Sequence, residues 1–282
     1  MLSFITWTAD PVAFTVPFIG RDVRWYGIAF AGGFLLGSWL IRKVWRAEKL
    51  NEEWFDKLFF YVIISATIGA RLGHCLFYAP GYYLSHPVEI IKVWEGGLAS
   101  HGGTIGIIIA IWIYSRKVTH KSMLWTFDRL VLPVGFVAAM IRLGNLMNHE
   151  VYGLPTDLPW AFRFIDNLPY VRLGATPVFS PPSHPTQLYE AFFYLLTSCI
   201  CLWMYWKRND YKYEGLIFGV FLIGIFLSRF FVEFFKNVQE TFEEGMLLDM
   251  GQLLSIPFII AGGWFMYKGL KAKKAEPKRR NK

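Results

Sequence analysis

Apolar residues along this chain come in seven long runs, with polar residues gathered between them. The runs cover residues 25–41, 58–78, 97–115, 124–148, 187–206, 215–235 and 247–267. Roughly 20 consecutive apolar residues are needed for a helix to cross the ~30 Å hydrocarbon core of a bilayer. The pattern therefore predicts an all-α integral membrane protein of about seven transmembrane helices. The chain 1–282 reads as a single membrane domain, with no internal repeat. One intervening segment is long: residues 149–186, rich in Pro, Gly and aromatics, are expected to form a small extracytoplasmic cap. Gly33 and Gly37, Gly69 and Gly73, Gly102 and Gly106, and Gly215 and Gly219 form GxxxG spacings, which let helix backbones approach closely.

Composition agrees with the membrane class. At 54% hydrophobic and 18% charged, the chain has too little polar surface to cover a soluble globule. Its excess of Lys and Arg over Asp and Glu is spread between the apolar runs rather than gathered on a soluble face, so nucleic acid is not expected as a partner. The distribution instead sets orientation. Segments following the odd-numbered runs, including the basic tail 268–282, hold nineteen Lys and Arg against six on the other side. By the positive-inside rule the N-terminus is outside and the tail cytoplasmic. Asp10, Pro11 and Pro17, with no basic stretch before an apolar core, argue against a cleaved signal peptide. Cys75, Cys199 and Cys201 lie inside apolar runs and read as packing residues, without disulfide or metal.

Charges within the runs change the picture more. A charged side chain at membrane depth costs several kcal/mol and ordinarily faces a bundle interior, where it marks a functional site. Arg71, Arg142, Arg229 and Glu233 come late in outward-running spans, while Tyr26, His101, Gln187, Tyr189, Glu190 and Gln252 come early in inward-running ones. All should lie in the outer half of the membrane, giving a polar cavity open to the outer leaflet or the outside. Arg142, Asn145 and His149 follow i, i+3, i+7, and Arg229, Glu233 and Lys236 follow i, i+4, i+7, so each set can share a helix face. The inner halves read as nearly free of ionisable groups. That weighs against the alternative class, a transporter of an anionic solute, whose pathway should be polar at both ends.

The run Arg142-Leu-Gly-Asn145-Leu-Met-Asn148-His-Glu150-Val-Tyr-Gly153 resembles, at every fixed position, the R-x-G-N-x-x-N-x-E-x-x-G signature of the prolipoprotein diacylglyceryl transferase family. Six shorter motifs follow in the family's order: Arg24-Trp-Tyr26-Gly27, Gly69-Ala-Arg71-Leu-Gly73, Gly96 to Gly103 containing His101, His184-Pro-Thr-Gln187-Leu-Tyr189-Glu190, Arg229-Phe-Phe-Val-Glu233, and Met250-Gly-Gln252. The resemblance covers essentially the whole chain. It departs at Ile225, where the family often has tyrosine, and at Lys236, where it commonly has arginine.

The resemblance implies a multi-pass enzyme of the bacterial inner membrane that moves the diacylglyceryl group of phosphatidylglycerol onto the lipobox cysteine of a preprolipoprotein. Arginines suit the phosphate, being permanently charged and able to donate two parallel hydrogen bonds. Arg142 and Arg229 are assigned to it, Asn145 as a further donor, and Glu150 and Glu233 to orienting the guanidinium groups. His101, beside Gly102 and Gly103, is assigned to the thiol proton, which a neutral imidazole can accept near neutrality. Tyr26, Gly102, Asn148, Gly153, Gln187 and Tyr189 complete the expected substrate contacts. Glu190 and Gln252 could equally tie helices together. No nucleotide fingerprint, metal cluster or nucleophile elbow is evident, so neither cofactor nor metal is expected.

Overall fold

The computed structural model describes residues 4–237 and 246–275, apart from the side chains of Glu95 and Ser100. The end of the basic tail, residues 276–282, lies outside the described residues. Among the described residues, six helices are long and apolar enough to cross a membrane: α1 (Trp25–Ala47), α2 (Glu52–Phe77), α6 (Met123–Met147), α8 (Thr186–Trp206), α9 (Leu216–Glu233) and α10 (Met250–Ala275). Between α2 and α6 come two short helices, α3 (Pro80–Ser85) and α4 (Pro87–Ile90), and then α5 (Ser100–Tyr114). The third apolar run thus forms an α-helix of only 15 residues, continued by a five-residue π-helical turn, Ser115–Thr119. Its first residues stay out of the helix because Gly96 and Gly97 hold positive φ, at 90° and 65°.

Polar caps decide where other helices begin. Asn51 Oδ1 accepts from the Glu53 amide at 2.9 Å, and Glu52 and Glu53 occupy the first turn, so α2 starts six residues before its apolar run. At α10, Asp249 Oδ1 accepts from the Gln252 amide at 2.7 Å while Gln252 Oε1 accepts from the Asp249 amide at 3.2 Å. The two form a reciprocal capping box. Pro133 and Pro257 lie inside α6 and α10, as membrane helices tolerate.

The chain divides into two compact units, residues 41–129 and the remainder. In the first, α2 and α5 meet along small residues: a Cβ on Gly69 or Gly102 would collide with the facing backbone carbonyl, and one on Gly73 would lie 2.7 Å from Gly102 Cα. Arg71, on α2, is buried and fastens the segment after α4. Its Nε donates to Ile90 O at 3.0 Å, Nη1 to Gly96 O at 2.5 Å and Nη2 to Glu89 O at 2.5 Å. At the other end of this unit Arg129 pairs with Glu48 at 2.6 Å and stacks over Trp125 at 3.9 Å. Asp128 and Arg129 are both buried in the first turns of α6. Ionisable groups in α6 are therefore not confined to its Arg142 end. Glu48, in the turn that follows α1, supplies the countercharge.

In the second unit Gly33 and Gly37 of α1 face Val137 and Pro133 of α6, and Gly219 of α9 faces Gly262 and Met266 of α10. Gly215 sits at the N-cap of α9 with φ 88°. Residues 149–186 fold onto the N-terminal segment. Strand β1 (Ile5–Thr6) pairs in parallel with β4 (Phe162–Arg163), and β2 (Val12–Thr15) pairs antiparallel with β3 (Asp22–Arg24). Phe162, Phe164 and Leu146 form a buried cluster joined by Trp7, Tyr152 and Leu188. Asp22 ties the ribbon to Arg172, of the short helix α7 (Leu168–Val171) and its following residue, at 2.6 Å. That bond holds the Asp22 carboxyl below its ordinary range.

Candidate active site

The site is built where the C-terminal turns of α6 meet the first turns of α8 and the end of α9. Arg142 and Asn145, three apart on α6, share a face: Arg142 Nη1 donates to Asn145 Oδ1 at 3.2 Å. Asn145 Nδ2 donates onward to Glu150 Oε1 at 2.8 Å, and Asn148 Nδ2 reaches the same oxygen at 3.1 Å. Glu150 therefore acts on Arg142 through Asn145 rather than by direct pairing. Gln187 Nε2 donates to Glu150 O at 2.7 Å and Thr186 Oγ1 to Val151 O at 2.9 Å, so the opening turn of α8 fixes the chain leaving α6.

Glu190 is the centre of the cluster and is fully buried. Its Oε2 forms an ion pair with Arg142 Nε at 2.8 Å. Its Oε1 accepts from Lys236 Nζ at 3.0 Å and from Tyr194 OH at 3.1 Å. Lys236 also donates to Glu233 Oε2 at 3.1 Å. Arg229 is near enough for its charge to act on both Glu233 and Tyr194. A Cβ on Gly251 would come within 2.6 Å of the Glu233 carboxyl carbon, so any larger residue there would make that carboxylate move. Burying an unpaired charge is expensive, and this cluster answers by alternating sign.

Sequence spacing left Glu190 open between two roles and put Lys236 on a face with Arg229 and Glu233 without giving it a partner. The structure gives both direct places in the ion network, with Glu190, not Glu150 or Glu233, as the ion-pair partner of Arg142. The i, i+4 relation of Glu190 and Tyr194 was the signal within reach. Gln252, besides its part in the capping box, donates to Phe230 O at 3.3 Å, tying α10 to α9.

Other expected residues stand elsewhere. His149 does not continue the Arg142 face, because α6 ends at Met147 and His149 takes φ 59°. Its buried ring bridges Ala9 O, at 2.9 Å from Nε2, and the Ile165 amide, at 3.0 Å from Nδ1. Nδ1 must therefore be bare and Nε2 protonated, and burial lowers the pKa below the ordinary histidine value. Gly153 donates to His184 O at 2.8 Å and accepts from Asn237 Nδ2 at 3.1 Å, bridging to Lys236 by its backbone. Tyr189 OH accepts from Trp160 Nε1 at 2.9 Å and lies 3.2 Å from His184 Nδ1. Gly144 of α6 lies against the Tyr26 ring, leaving no room for a Cβ. Gly102 is taken up by contact with Gly69 and Gly73, and His101 is exposed at the start of α5 in the other unit.

Apolar helices of membrane length, with a cluster of arginine, lysine and carboxylates at the ends of three of them, define a multi-pass membrane protein. The chain belongs to the prolipoprotein diacylglyceryl transferase family, whose model matches residues 11–268. It is 55% identical over 275 residues to the phosphatidylglycerol--prolipoprotein diacylglyceryl transferase of Porphyromonas gingivalis, covering 95% of this chain and 96% of that one. Proteins of the same name from Chloroherpeton thalassium and Tolumonas auensis are 44% and 43% identical. They cover 97% and 95% of this chain and 97% and 98% of their own lengths.

Proposed function

We propose that this chain transfers the diacylglyceryl group of phosphatidylglycerol to the thiol of a preprolipoprotein's lipobox cysteine. A carbon–sulfur bond forms at the terminal glycerol carbon, the carbon–oxygen bond to phosphate breaks, and glycerol phosphate leaves. The observation that carries this reading is the charge balance of the buried cluster. Around the buried Glu190 and Glu233, paired with Arg142 and Lys236, Arg229 brings a further positive charge. A phosphodiester brings one negative charge. As the bond to carbon breaks, a second develops on the departing phosphate, and preorganised donors favour that state over the ground state. Arg142 meets the requirement, since its side chain keeps some exposure while its neighbours are buried.

The remaining roles are part of the same reading. Asn145 and Glu150 orient Arg142, with Asn148 and Gln187 bracing Glu150. Tyr26, Tyr189 and Gly153 shape the space for head group and peptide, and His101 accepts the thiol proton. The protein lies in the inner membrane with seven spans, α5 among them. Its N-terminus and the cap 149–186 face outside, where exported lipobox cysteines arrive, and its basic tail is cytoplasmic.

Purified protein given phosphatidylglycerol and a lipobox peptide should yield a cysteine bearing a diacylglyceryl thioether, read by mass spectrometry. Flux of an anionic solute into liposomes without lipid turnover would replace this reading with that of a transporter. Single cysteines introduced at 149–186, in a background lacking Cys75, Cys199 and Cys201, should react with an impermeant reagent from outside. Reaction from inside only would overturn the orientation and with it the outer-leaflet site.

A further inference from the structure

We infer that Lys236 is a positioning residue for Arg142, acting through Glu190 to keep the guanidinium available to an anionic substrate; this rests on the phosphate-binding reading of Arg142. A carboxylate facing an arginine ordinarily closes on it with two parallel hydrogen bonds. Glu190 cannot. Its Oε1 is held by Lys236 Nζ at 3.0 Å and Tyr194 OH at 3.1 Å, which leaves Oε2 alone for Arg142. That oxygen sits 2.8 Å from Arg142 Nε and is buried, yet among the described residues it has no aligned hydrogen bond. The carboxylate supplies charge to Arg142 without taking the donor end of the fork.

The guanidinium has five N–H groups. One side lies against Glu190, Nη1 gives one to Asn145, and the Tyr194 hydroxyl is a further neighbour. Terminal N–H groups are left over for a phosphate.

Lys236 suits the task because an ammonium is a point donor, able to hold one oxygen of Glu190 without covering both. Its own position is fixed. Glu233 accepts from it at 3.1 Å, its backbone bridges to Gly153, and Leu154 donates to Phe235 O at 2.8 Å beside it. With Lys236 neutralised, Oε1 keeps only the neutral Tyr194 hydroxyl, a weaker donor than an ammonium, and Glu190 can turn to grip Arg142 with both oxygens.

The test measures KM and kcat for phosphatidylglycerol at equal folded amounts. Lys236→Met should raise KM about tenfold or more, equivalent to ~1.4 kcal/mol of lost binding, whereas Lys236→Arg, which keeps charge and donors, should stay within a few-fold of the parent. In a Glu190→Gln background, where there is no carboxylate left to close on Arg142, adding Lys236→Met should leave KM unchanged. That comparison also serves if Lys236→Met alone folds poorly, since the double variant removes charges of both signs. A further rise in KM in the double variant, or an unchanged KM in Lys236→Met, overturns the inference. If Arg142→Lys itself leaves KM and kcat unaltered, it is the phosphate-binding reading that fails. A loss in Arg142→Lys without one in Lys236→Met defeats the inference alone.

Discussion

Glu190 Oε2 lies 2.8 Å from Arg142 Nε but makes no aligned hydrogen bond to it. The pair is an ion pair whose geometry is set by third parties, Lys236 and Tyr194 on one side and Asn145 on the other. The arginine is thereby held by charge and left with donors to spare. Arg142→Lys retains the charge and loses those donors, so turnover should fall roughly 10²-fold, the size of a lost transition-state donor. Arg229→Lys should behave alike. Transfer to a lipobox peptide by protein of matched folded yield checks both, and full activity in the two variants would dismiss the phosphate assignment.

Arg71→Lys should separate from these two. The Arg71 guanidinium is spent on backbone carbonyls of Glu89, Ile90 and Gly96, which a lysine could satisfy only in part. A buried acceptor left unpaired costs ~1–3 kcal/mol. The expected outcome is a lower thermal unfolding midpoint in detergent, with kcat per folded molecule changed much less than in Arg142→Lys.

Gly251→Ala probes the same cluster from α10. The added methyl would fall on the Glu233 carboxyl group, displacing the partner of Lys236. Transfer activity should drop at least tenfold, at a cost near that of breaking one buried charged hydrogen bond, ~1.5–3 kcal/mol. Normal kinetics in Gly251→Ala would show that Glu233 can move without consequence.

His149 predicts a pH dependence of stability. Its folded pKa lies below the unfolded value of about 6.5 because burial disfavours the imidazolium, and Nδ1 must stay bare to accept from Ile165. The unfolded chain then binds the proton more readily, so stability rises with pH in this window. The contribution is complete above about pH 6.5 and is lost as pH falls toward the folded pKa. Unfolding midpoints taken from pH 7.5 to 5 should fall in the parent and fall less in His149→Gln, which does not titrate. Equal slopes would remove His149 from the account.

His101→Gln should depress turnover strongly while binding of phosphatidylglycerol is kept, if the imidazole takes the thiol proton. A more acidic thiol substrate should then recover part of the loss. Weaker lipid binding with saturated turnover preserved would instead make His101 a lipid contact.

The apolar runs alone were enough to place six membrane-length helices, because bilayer thickness demands about 20 apolar residues wherever a helix crosses it. Charges inside those runs were legible for the same reason: in hydrocarbon they need a purpose. Spacing could say that Arg142 and Asn145 share a face, and they bond; it could not say that the helix stops before His149, whose positive φ turns the ring toward Ala9 and Ile165. Nor could it separate Arg71 from Arg142. Both are arginines late in apolar runs, yet the first meets backbone carbonyls 18 to 25 residues further along the chain and the second a carboxylate on another helix. Which oxygen each guanidinium meets, and whether Gly102 serves a ligand or another helix, depends on contacts between elements. Helical periodicity carries no record of those, because it fixes the direction of a side chain from its own axis and not what stands opposite.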